Sequence, residues 1–468
     1  MLAATLQEAE GAIGNRAAES RPEEARFITG YSIDSRTVAT GDLFFAIRGP
    51  RHDGHDYIEA ALERGAAGAV ASREWLQARR AAGGGIERLV GVDDPAEALR
   101  RLATAARLRW GKPVVAVTGS NGKTTTKEVV SALLATRYRI SKSEGNLNNE
   151  FGLPLSLLRI GDEAEIGVLE MGMNHRGEIR RLAGIAQPTV GVVTNVNAAH
   201  LEFFESVDEI ALAKRELIES LGPEGVAVLN AGDERVRGFA KVHSGRSRTF
   251  GVEAEADYQA VKLESLGPRG ERFVLRWTSA AGGTRESGYV SALPGRHNVA
   301  NVAAAIAVAG VFEIEPPELV GAIAGLKTFH MRGEFVETGG VKVLNDSYNA
   351  NPAAVTAMLE VLRQTPARRR VAVLGEMREL GEASAALHRQ VGEAAAEAAD
   401  VLVAVQGHAR EIVSGAVAAG LTASAAHFFE DAAAAGDFLA QFLEAGDAVL
   451  FKASRAVGLE RAVEKVLR

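Results

Sequence analysis

The sequence predicts an α/β protein of three domains, and three observations support this class. The chain has 468 residues, about three times the length of an average domain. Short apolar, β-branched stretches alternate with helical stretches, as in sheets whose parallel strands are joined by helices. Polar clusters follow many apolar stretches, and such sheets bind ligands beyond the carboxyl ends of their strands. The predicted domains span residues 1–92, 93–325 and 326–468.

The composition is that of an ordinary globular protein, with 47% hydrophobic and 24% charged residues. A net charge of −7 provides no basic surface, so nucleic acid is not an expected partner. No apolar run reaches the roughly 18 residues of a membrane span, and the first residues lack the pattern of a secretion signal. Cysteine is absent, which excludes disulfides and thiol chemistry. We therefore expect a cytoplasmic protein without a membrane span.

The first domain is predicted as a small α/β unit around an apolar strand at 43–47. A helix at 57–65 and a strand at 88–92 follow. Polar residues on the loops beside the first strand could bind a ligand such as a nucleotide sugar. Alternatively, Asp34 and Asp53 only build turns and the nearby histidines are solvated. The candidate ligand-binding residues are Ser35, Arg36, His52, Asp53 and His55.

A phosphate-binding loop is predicted in the central domain. A β-branched strand at 114–118 ends in a small-residue turn at 119–122, and a helix begins at Lys123. The glycines let several backbone N–H groups face one point, and the helix N-terminus adds its positive end. Lys123 can reach terminal phosphates, and a following threonine hydroxyl can bind Mg²⁺. Val117 stands where the usual motif has its first glycine. The predicted ATP-binding residues of the loop are Gly119, Ser120, Asn121, Gly122, Lys123, Thr124 and Thr125.

Three further polar residues come after neighbouring strands of the predicted central sheet. Glu170 ends one strand, Asn195 follows the next, and His200 lies in the loop beyond. A carboxylate, an amide and an imidazole close to a phosphate loop suit Mg²⁺–phosphate chemistry. Taken singly, each is more often a cap or a solvated loop residue. The strands are predicted at 114–118, 166–170, 190–194 and 226–230.

Lys214 stands on the apolar face of a predicted helix. Ser206 and Glu209 have the spacing of a capping box and mark the helix start. In one interpretation the lysine ammonium extends to solvent. In the other, burial lowers the pKa of Lys214 and leaves an amine open to covalent modification. The residues that share this face are Ile210, Lys214, Leu217, Ile218 and Leu221.

Two amides open an alanine-rich helix predicted at 302–309. Asn298 and Asn301 are three residues apart and therefore neighbours on one helical face. Such a pair can recognise the hydrogen-bonding groups of a purine, or it can cap the helix.

The last domain repeats the α/β pattern, again with polar stretches after its strands. These stretches are 345–352, 375–377 and 452–455, and Arg332 lies just past the preceding linker. Strands are predicted at 341–345, 371–374, 401–405 and 448–451, and helices at 352–363, 384–398, 430–444 and 456–467.

In order and spacing, these motifs resemble those of the Mur ligase family of peptidoglycan synthesis, over nearly the whole chain. Residues 118–125 resemble the family's ATP loop, 146–154 its asparagine-rich motif and 169–172 its metal-binding carboxylate. The stretches 345–352 and 374–382 resemble the family member that adds a dipeptide. The Asp-Asn-Pro-Arg motif of the diaminopimelate-adding relative does not occur in the sequence. One departure is an alanine at position 453, where a glycine is usual.

The resemblance implies an N-terminal UDP-sugar-binding domain, a central P-loop-type ATPase domain with a mostly parallel sheet, and a Rossmann-like C-terminal domain that binds the dipeptide. It also implies an ADP-forming ligase that uses ATP and Mg²⁺. This ligase would join D-alanyl-D-alanine to UDP-N-acetylmuramoyl-tripeptide through an acyl phosphate. We expect it to act on small molecules as a monomer. Domain closure should be needed to assemble the site and exclude water.

The resemblance also implies roles for individual residues. Catalytic roles fall on Lys123, Glu170, His200, Lys214 and Asp346. Mg²⁺ would be bound by Thr124, Glu170, His200 and a carbamylated Lys214. Beyond the loop, ATP would contact Asn298, Asn301 and Arg332. The substrates would contact Asn148, Asn149, Asp346, Asn349, Asn351, Lys452, Ser454 and Arg455, in addition to the five N-terminal candidates.

Several alternatives stay open at this point. Within the family, the chain could add a single amino acid, or it could resemble folylpolyglutamate synthase. A P-loop kinase or NTPase would transfer or hydrolyse phosphate without joining two molecules. A nucleotide-binding regulator without catalysis is a further alternative, against which the complete set Lys123, Glu170, His200 and Lys214 argues.

Overall fold

The computed structural model describes residues 6–13, 27–85, 88–279 and 282–467, and the strands of these ranges form three sheets. Two of the sheets are parallel or nearly so, and helices pack against them, which confirms the predicted α/β class.

The N-terminal sheet contains four parallel strands among the described residues, in the order β1-β2-β3-β4. Its central strand β2 has no exposed residue, because helices cover both of its faces. The predicted strands at 43–47 and 88–92 correspond to β2 and β4. The elements are α1 (Leu6–Ile13), β1 (Gly30–Ser32), β2 (Asp42–Phe45), α2 (Ile58–Glu63), β3 (Gly68–Ser72), α3 (Arg73–Ala81), β4 (Leu89–Val92) and α4 (Pro95–Trp110).

The described part of the central sheet has nine strands, in the order β13-β12-β11-β10-β9-β8-β5-β7-β6. Strand β5, which leads into the phosphate loop, is fully buried between two parallel neighbours. Its residue Val117 pairs with Glu170 on one side and Val192 on the other, so the three strands end at the same level. The strands are β5 (Val114–Thr118), β6 (Ile140–Lys142), β7 (Ile166–Glu170), β8 (Val190–Val193), β9 (Val226–Asn230), β10 (Arg246–Val252), β11 (Tyr258–Ser265), β12 (Glu271–Thr278) and β13 (Thr284–Ser291). The helices are α5 (Lys123–Leu134), α6 (Gly152–Leu158), α7 (Glu178–Ala186), α8 (Val207–Glu219), α9 (Glu234–Gly238), α10 (Arg296–Val311) and α11 (Val320–Ala324).

The far half of this sheet, from β10 to β13, was not predicted from the sequence. Strand β10 pairs in parallel with β9, but β11, β12 and β13 form an antiparallel meander. Along β12, Phe273, Leu275 and Trp277 are buried and alternate with more exposed residues. This period of two belongs to a sheet with one covered face, whereas the predicted strands are continuous apolar runs.

The six described strands of the C-terminal sheet follow the order β14-β15-β19-β16-β17-β18, and only β14 is antiparallel to its neighbour. The sequence did not predict β14, β18 or α14. The strands are β14 (Glu334–Thr338), β15 (Val341–Asn345), β16 (Arg369–Gly375), β17 (Val401–Val405), β18 (Ala426–Phe429) and β19 (Asp447–Lys452). The helices are α12 (Pro352–Gln364), α13 (Ser384–Ala398), α14 (Arg410–Ala418), α15 (Ala432–Phe442) and α16 (Glu460–Val466).

The N-terminal and central sheets share one hydrophobic core, which is built around α4. This cluster joins Leu43 of β2, Leu99 of α4 and Val114 of β5. The C-terminal sheet has its own two clusters, one on each face. The domain limits 1–92, 93–325 and 326–468 stay a prediction, supported by the fact that each range contains one sheet.

Helices α13 and α14 approach so closely that their crossing requires glycine. A Cβ atom on Gly392 would lie 2.1 Å from the carbonyl oxygen of Ile412. We expect Gly392→Ala to lower the free energy of unfolding by about 3 kcal/mol, measured by urea titration, because the backbone of α14 would have to move. The matched control is Gly184→Ala in α7, where no atom lies within 4 Å of the new Cβ. The free energy of unfolding of that variant should rise by roughly 0.5–1 kcal/mol, because alanine favours the helix more than glycine does. Equal stability of the two variants would contradict the close approach.

Candidate active site

A cavity of about 760 Å³ lies beyond the carboxyl ends of β5, β7 and β8 and faces the ends of β15 and β19. Two sheets therefore supply its walls. Most of the residues predicted for a site line it: Ser120, Asn121, Gly122, Lys123, Thr124, Thr125, Asn148, Asn149, Glu170, His200, Asn298, Asn301, Arg332, Asp346, Asn349, Asn351, Lys452, Ser454 and Arg455.

The phosphate loop is shaped by two glycines with positive φ angles. Gly119 has φ of 149°, and a Cβ atom there would lie 1.8 Å from Thr194 Oγ1. Gly122 has φ of 80°, and a Cβ atom there would lie 2.4 Å from Asn301 Oδ1. Neither position can take a side chain without displacing a neighbour. Gly119 itself does not line the cavity, because it packs against β8.

Asn195 fixes the backbone of this loop. Its Oδ1 accepts a hydrogen bond from the Asn121 N–H at 2.9 Å, and its carbonyl accepts from the Ser120 N–H, also at 2.9 Å. The strand-end position that the sequence indicated therefore holds the loop in shape.

Lys123 opens helix α5, and its ammonium bonds back to the loop. Its Nζ donates to the carbonyl of Gly119 at 2.8 Å and to that of Ser120 at 3.2 Å. Burial lowers the pKa of Lys123, and the Glu170 carboxylate opposes this effect. The lysine thus closes the loop around the point where phosphates are expected to bind.

Glu170, at the end of β7, is held at both carboxylate oxygens. Oε2 accepts from Thr124 Oγ1 at 2.8 Å, and Oε1 accepts from Asn148 Nδ2 at 2.7 Å. The side chain is almost fully buried. A carboxylate and a hydroxyl beside a phosphate loop fit Mg²⁺, which usually takes one or two carboxylates and completes its shell with phosphates and water. Among the described residues, no three acidic, histidine or cysteine side chains form a closed metal cluster.

His200 lies in the loop after β8, at the boundary with the C-terminal domain. Its Nδ1 is 2.6 Å from Glu379 Oε2, although the two are not aligned as a hydrogen bond. Burial lowers the pKa of His200, and Glu379 opposes the shift. The carbonyl of Glu379 also accepts from the Glu202 N–H at 3.1 Å. Two contacts therefore dock this C-terminal residue on the His200 loop.

Lys214 is only 1% exposed on α8, so the interpretation that its ammonium extends to solvent is wrong. Burial, with a smaller contribution from Lys123, lowers the pKa of Lys214 well below its ordinary value. No carboxylate of the described chain lies within ion-pair distance of it. Lys214 is not among the residues that line the cavity, but it is close enough to His200 to lower the pKa of that imidazole.

The start of α8 follows the predicted cap only in part. Ser206 Oγ accepts from the Glu209 N–H at 3.2 Å, as the capping box requires. The Glu209 carboxylate, however, accepts from the N–H of Glu205 rather than from that of Ser206.

Asn298 and Asn301 share one face of α10, as predicted, but their amides are bonded to each other. Asn301 Nδ2 donates to Asn298 Oδ1 at 3.0 Å, and Asn298 Nδ2 donates to the Pro294 carbonyl at 2.7 Å. Thr126 Oγ1 donates to Asn301 Oδ1 at 3.1 Å. The pair connects α10 to α5 and lines the cavity at the same time.

The C-terminal wall is organised around an ion pair between Asp346 and Lys452. The second oxygen of Asp346 accepts from the Gly333 N–H at 2.9 Å, and Lys452 Nζ also donates to the Asn349 carbonyl at 2.9 Å. The guanidinium carbon of Arg332 lies 4.0 Å from the centre of the Tyr348 ring, a cation–π contact. These bonds fix the 345–352 stretch at the cavity.

One pair of amides joins the two walls directly. Asn351 Nδ2 donates to Asn121 Oδ1 at 2.6 Å, and Asn121 Nδ2 donates back to Asn351 Oδ1 at 3.2 Å. Asn351 is also the N-cap of α12, where its side chain accepts from the Ala354 N–H. The phosphate loop and the start of a C-terminal helix are thereby in contact.

Comparisons with known proteins agree with this arrangement. The model of the Mur ligase catalytic domain matches residues 27–107, that of the Mur ligase middle domain 117–309, and that of the Mur ligase glutamate ligase domain 331–455. The UDP-N-acetylmuramoyl-tripeptide–D-alanyl-D-alanine ligase of Bacillus subtilis is 34% identical over 454 residues, which cover 95% of this chain and 94% of the relative. The chain belongs to the Mur ligase family.

Solved structures place this Mur ligase among similar molecules. A MurF crystal structure from Acinetobacter baumannii superimposes with a TM-score of 0.85 at 29% identity and covers 99% of this chain and 98% of that one. The MurF ligase of Thermotoga maritima in complex with ADP gives a TM-score of 0.78 at 31% identity, over 93% of this chain and 96% of that one. The three-domain α/β architecture predicted from the sequence is therefore confirmed.

The five N-terminal candidates of this Mur ligase lie outside the cavity. Asp53 builds a turn, because its Oδ1 accepts from the His55 N–H at 3.1 Å. His55 is buried, not solvated: its Nδ1 contacts Asp53 and its Nε2 accepts from the Ser72 N–H at 2.9 Å. Both ring nitrogens of His55 are thus engaged within the protein, so the solvated alternative is wrong, and the substrate contact of His55 stays a prediction. Ser35, Arg36 and His52 are partly or fully exposed.

Sequence reasoning missed two parts of this Mur ligase site. Asn197 lines the cavity, and its N–H donates to Ser120 Oγ at 2.9 Å. Glu379 also lines the cavity, and it lies in the 374–382 stretch, to which the sequence analysis assigned no residue roles.

The alanine at position 453 is fully buried opposite Gly375, where an added Cβ atom would lie 2.5 Å from the alanine methyl. The departure from glycine is therefore tolerated because its neighbour is a glycine.

No helix in the described ranges is long and apolar enough to cross a membrane.

His297 gives this Mur ligase a pH-dependent stability. Burial lowers the pKa of His297 to about 4, whereas a histidine in the unfolded chain titrates near 6.5. The unfolded chain therefore binds a proton first, and this part of the stability is lost as the pH falls from about 6.5 towards 4. When the pH falls from 7 to 5, the free energy of unfolding of His297→Gln, measured by urea titration, should decrease by about 2 kcal/mol less than that of the unsubstituted protein. His330→Gln, at an exposed ring, should retain the full loss, and an unaltered pH dependence of His297→Gln would contradict the assignment.

Proposed function

We propose that this Mur ligase joins D-alanyl-D-alanine to UDP-N-acetylmuramoyl-tripeptide with ATP and Mg²⁺, forming ADP and phosphate. One observation carries the proposal: the phosphate loop and the 345–352 stretch meet at one cavity, through Asn121 and Asn351. A ligase needs this arrangement because the phosphate donor, the carboxylate and the amine must react at one place. The two substrates are those of the Bacillus subtilis relative, a UDP-N-acetylmuramoyl-tripeptide–D-alanyl-D-alanine ligase.

The reaction takes place in two steps. A carboxylate oxygen of the tripeptide attacks the γ-phosphorus of ATP, which gives an acyl phosphate and releases ADP. The amine of the dipeptide then attacks the acyl carbon, phosphate leaves, and the amine proton passes to solvent or to a basic group. Both steps spread negative charge over phosphoryl oxygens, which cationic groups and backbone N–H donors stabilise.

The nucleotide side of the site is assigned to the central domain. The loop from Gly119 to Thr125 and Lys123 would hold the phosphates, and Asn298 and Asn301 would contact the adenosine. Arg332 would reach the phosphates from the domain boundary. Mg²⁺, when bound, neutralises phosphate charge. Its ligands are assigned to Thr124, Glu170, His200 and the carbamylated Lys214. The carbamate is supported by the burial of Lys214 and by the lowering of its pKa that this burial causes.

The dipeptide and the nucleotide-sugar peptide are assigned to the remaining walls. Asn148 and Asn149 would contact the tripeptide substrate beside Glu170. Ser35, Arg36, His52, Asp53 and His55 of the N-terminal domain stay candidates for binding the UDP sugar. The proposed contacts of the dipeptide are Asp346, Asn349, Asn351, Lys452, Ser454 and Arg455.

The domain limits given above, a monomeric state and a cytoplasmic location belong to the same proposal. They follow from the family resemblance and from the cysteine-free composition. Size-exclusion chromatography with light scattering tests the monomer, since a second species at working concentration would contradict it.

The decisive experiment is mass spectrometry of the product. The protein is incubated with ATP, Mg²⁺, UDP-N-acetylmuramoyl-tripeptide and D-alanyl-D-alanine. An amide adduct of dipeptide and tripeptide is expected, with phosphate release that depends on both. A phosphorylated substrate would instead indicate a kinase, and nucleotide hydrolysis alone an NTPase. Diaminopimelate, lysine and glutamate in place of the dipeptide separate the other ligase classes, and tripeptides that differ in their third residue define the accepted substrate.

A further inference from the structure

Lys127 is a fully buried charged side chain that the proposed mechanism does not use. Lys127 lies one helical turn after Lys123 on α5 and is 0% exposed. Its Nζ donates to the carbonyl of Ser143 at 2.7 Å and lies 3.0 Å from Glu128 Oε1. A weaker bond of 3.4 Å reaches the carbonyl of Gly145. A buried ammonium is costly unless it is paired and hydrogen-bonded, so these partners hold it firmly.

The segment that Lys127 binds holds Glu170 from two sides. Ser143 Oγ accepts from the Glu170 N–H at 3.1 Å, and the Ser143 N–H donates to Val168 of the same strand at 3.0 Å. Five residues later, Asn148 Nδ2 donates to the Glu170 carboxylate at 2.7 Å, and the Asn148 carbonyl accepts from the Gly172 N–H at 2.8 Å. The segment 143–148 therefore sets the position of both the main chain and the side chain of Glu170.

We infer that Lys127 is a positioning residue that fixes the 143–148 segment to the phosphate-loop helix, and so sets Glu170 and Asn148 relative to Lys123 and Thr124. The helix that carries the phosphate-binding groups and the segment that orients the acidic residue are joined through one ammonium. The inference rests on the proposed function, because that proposal assigns Glu170 as a ligand of Mg²⁺.

The test compares Mg²⁺-dependent nucleotide binding in Lys127→Met and in the unsubstituted protein. Methionine keeps much of the length of lysine and removes its charge and donors. The dissociation constant for ADP with saturating Mg²⁺, measured by calorimetry, should rise roughly 10- to 100-fold, as when residues that orient metal ligands are replaced. In the ligation assay, the Mg²⁺ concentration for half-maximal rate should rise by a similar factor. The KM for the dipeptide should change by no more than about twofold, because Asp346 and Lys452 are untouched.

The chain offers a matched control in Lys142. It pairs with the same Glu128 carboxylate, but its side chain is 45% exposed and it does not bind the 143–148 segment. Lys142→Met should leave ADP binding within about twofold of the unsubstituted protein. Equal effects of the two lysine substitutions would overturn the inference, because they would trace the loss to Glu128.

Ser143→Ala provides a second route, since it removes the acceptor of the Glu170 N–H without changing any charge. It should weaken binding of Mg²⁺ and ADP on its own and add little in the Lys127→Met background, because both act through one segment. If the losses in ADP binding caused by the two substitutions added in full, the inference would be overturned. A Lys127→Met protein that is less heat-stable but binds ADP normally would overturn it as well. Should Lys127→Met not fold, normal binding by Ser143→Ala is the overturning result. Binding of ADP needs no dipeptide, so a failure of ligation would contradict the proposed function and leave this inference standing.

Discussion

Replacing Lys123 by methionine is expected to lower the rate of ligation by roughly 10²- to 10³-fold, which corresponds to about 3–4 kcal/mol of transition-state stabilisation. The reason is that Lys123 is the cation of the phosphate loop, bonded to Gly119 and Ser120 in this structure and placed beside Glu170. Phosphate release and amide formation are measured together under saturating substrates. Both should fall by the same factor, because each depends on transfer of the γ-phosphoryl group.

The control for this change is Lys241→Met, at an exposed lysine of the same domain. It should retain the rate within about twofold. A Lys123→Met protein that ligates at the unsubstituted rate would remove the phosphate loop from the reaction, and with it the proposed function.

Lys214→Ala is the second substitution with a large expected effect, a loss of roughly 10- to 100-fold in turnover. Burial lowers the pKa of Lys214 and so favours the neutral amine, which is the form that can add to carbon dioxide. The nitrogen bonds to the carbon of CO₂, one proton leaves to solvent, and an anionic carbamate results. The negative carbamate would attract the ammonium of Lys123 and could help to hold Mg²⁺, whereas a protonated Lys214 would repel both. Bicarbonate should give no rescue of the alanine variant.

The carbamate itself is observed by ¹³C NMR after exposure of the protein to ¹³C-labelled bicarbonate. The unsubstituted protein should show one carbamate resonance that Lys214→Ala lacks, and its activity should fall when carbon dioxide is removed and return when bicarbonate is added. Unchanged activity of Lys214→Ala would refute the carbamate. Lys142→Met is the matched control and should keep both the resonance and the rate.

The parts of the site that follow directly from buried strands could be predicted from the sequence. Strands β5 and β7 are buried on both faces, so each is a continuous apolar run in the sequence. The ends of these runs, at Thr118 and Glu170, can therefore be recognised from the sequence alone. Parallel strands end at one edge, which brings Glu170, Asn195 and the phosphate loop together without further information. The sequence also placed Lys214 on the apolar face of α8, but it left open whether the ammonium is buried or extends to solvent, which the structure decides.

The parts that depend on how distant segments pack could not be predicted. The contact between His200 and Glu379 and the pair of Asn121 with Asn351 join two domains, and no local pattern indicates which polar groups meet. The strands from β11 to β13 carry charged residues on their open face, which weakens the apolar signal to an alternation. The solvated alternative for His55 was wrong because the Ser72 N–H that binds its ring lies at the end of β3, 17 residues further along the chain.

Two contacts that join the central and C-terminal walls of the cavity differ in their chemistry. The Asn121–Asn351 contact is made of neutral amides. At the His200–Glu379 contact, burial lowers the pKa of the imidazole and His200 lowers the pKa of Glu379, so at pH 7 a carboxylate faces a neutral ring. Neither contact is an attraction between two charges, so dissolved salt, which screens such attraction, should leave both walls of the cavity joined.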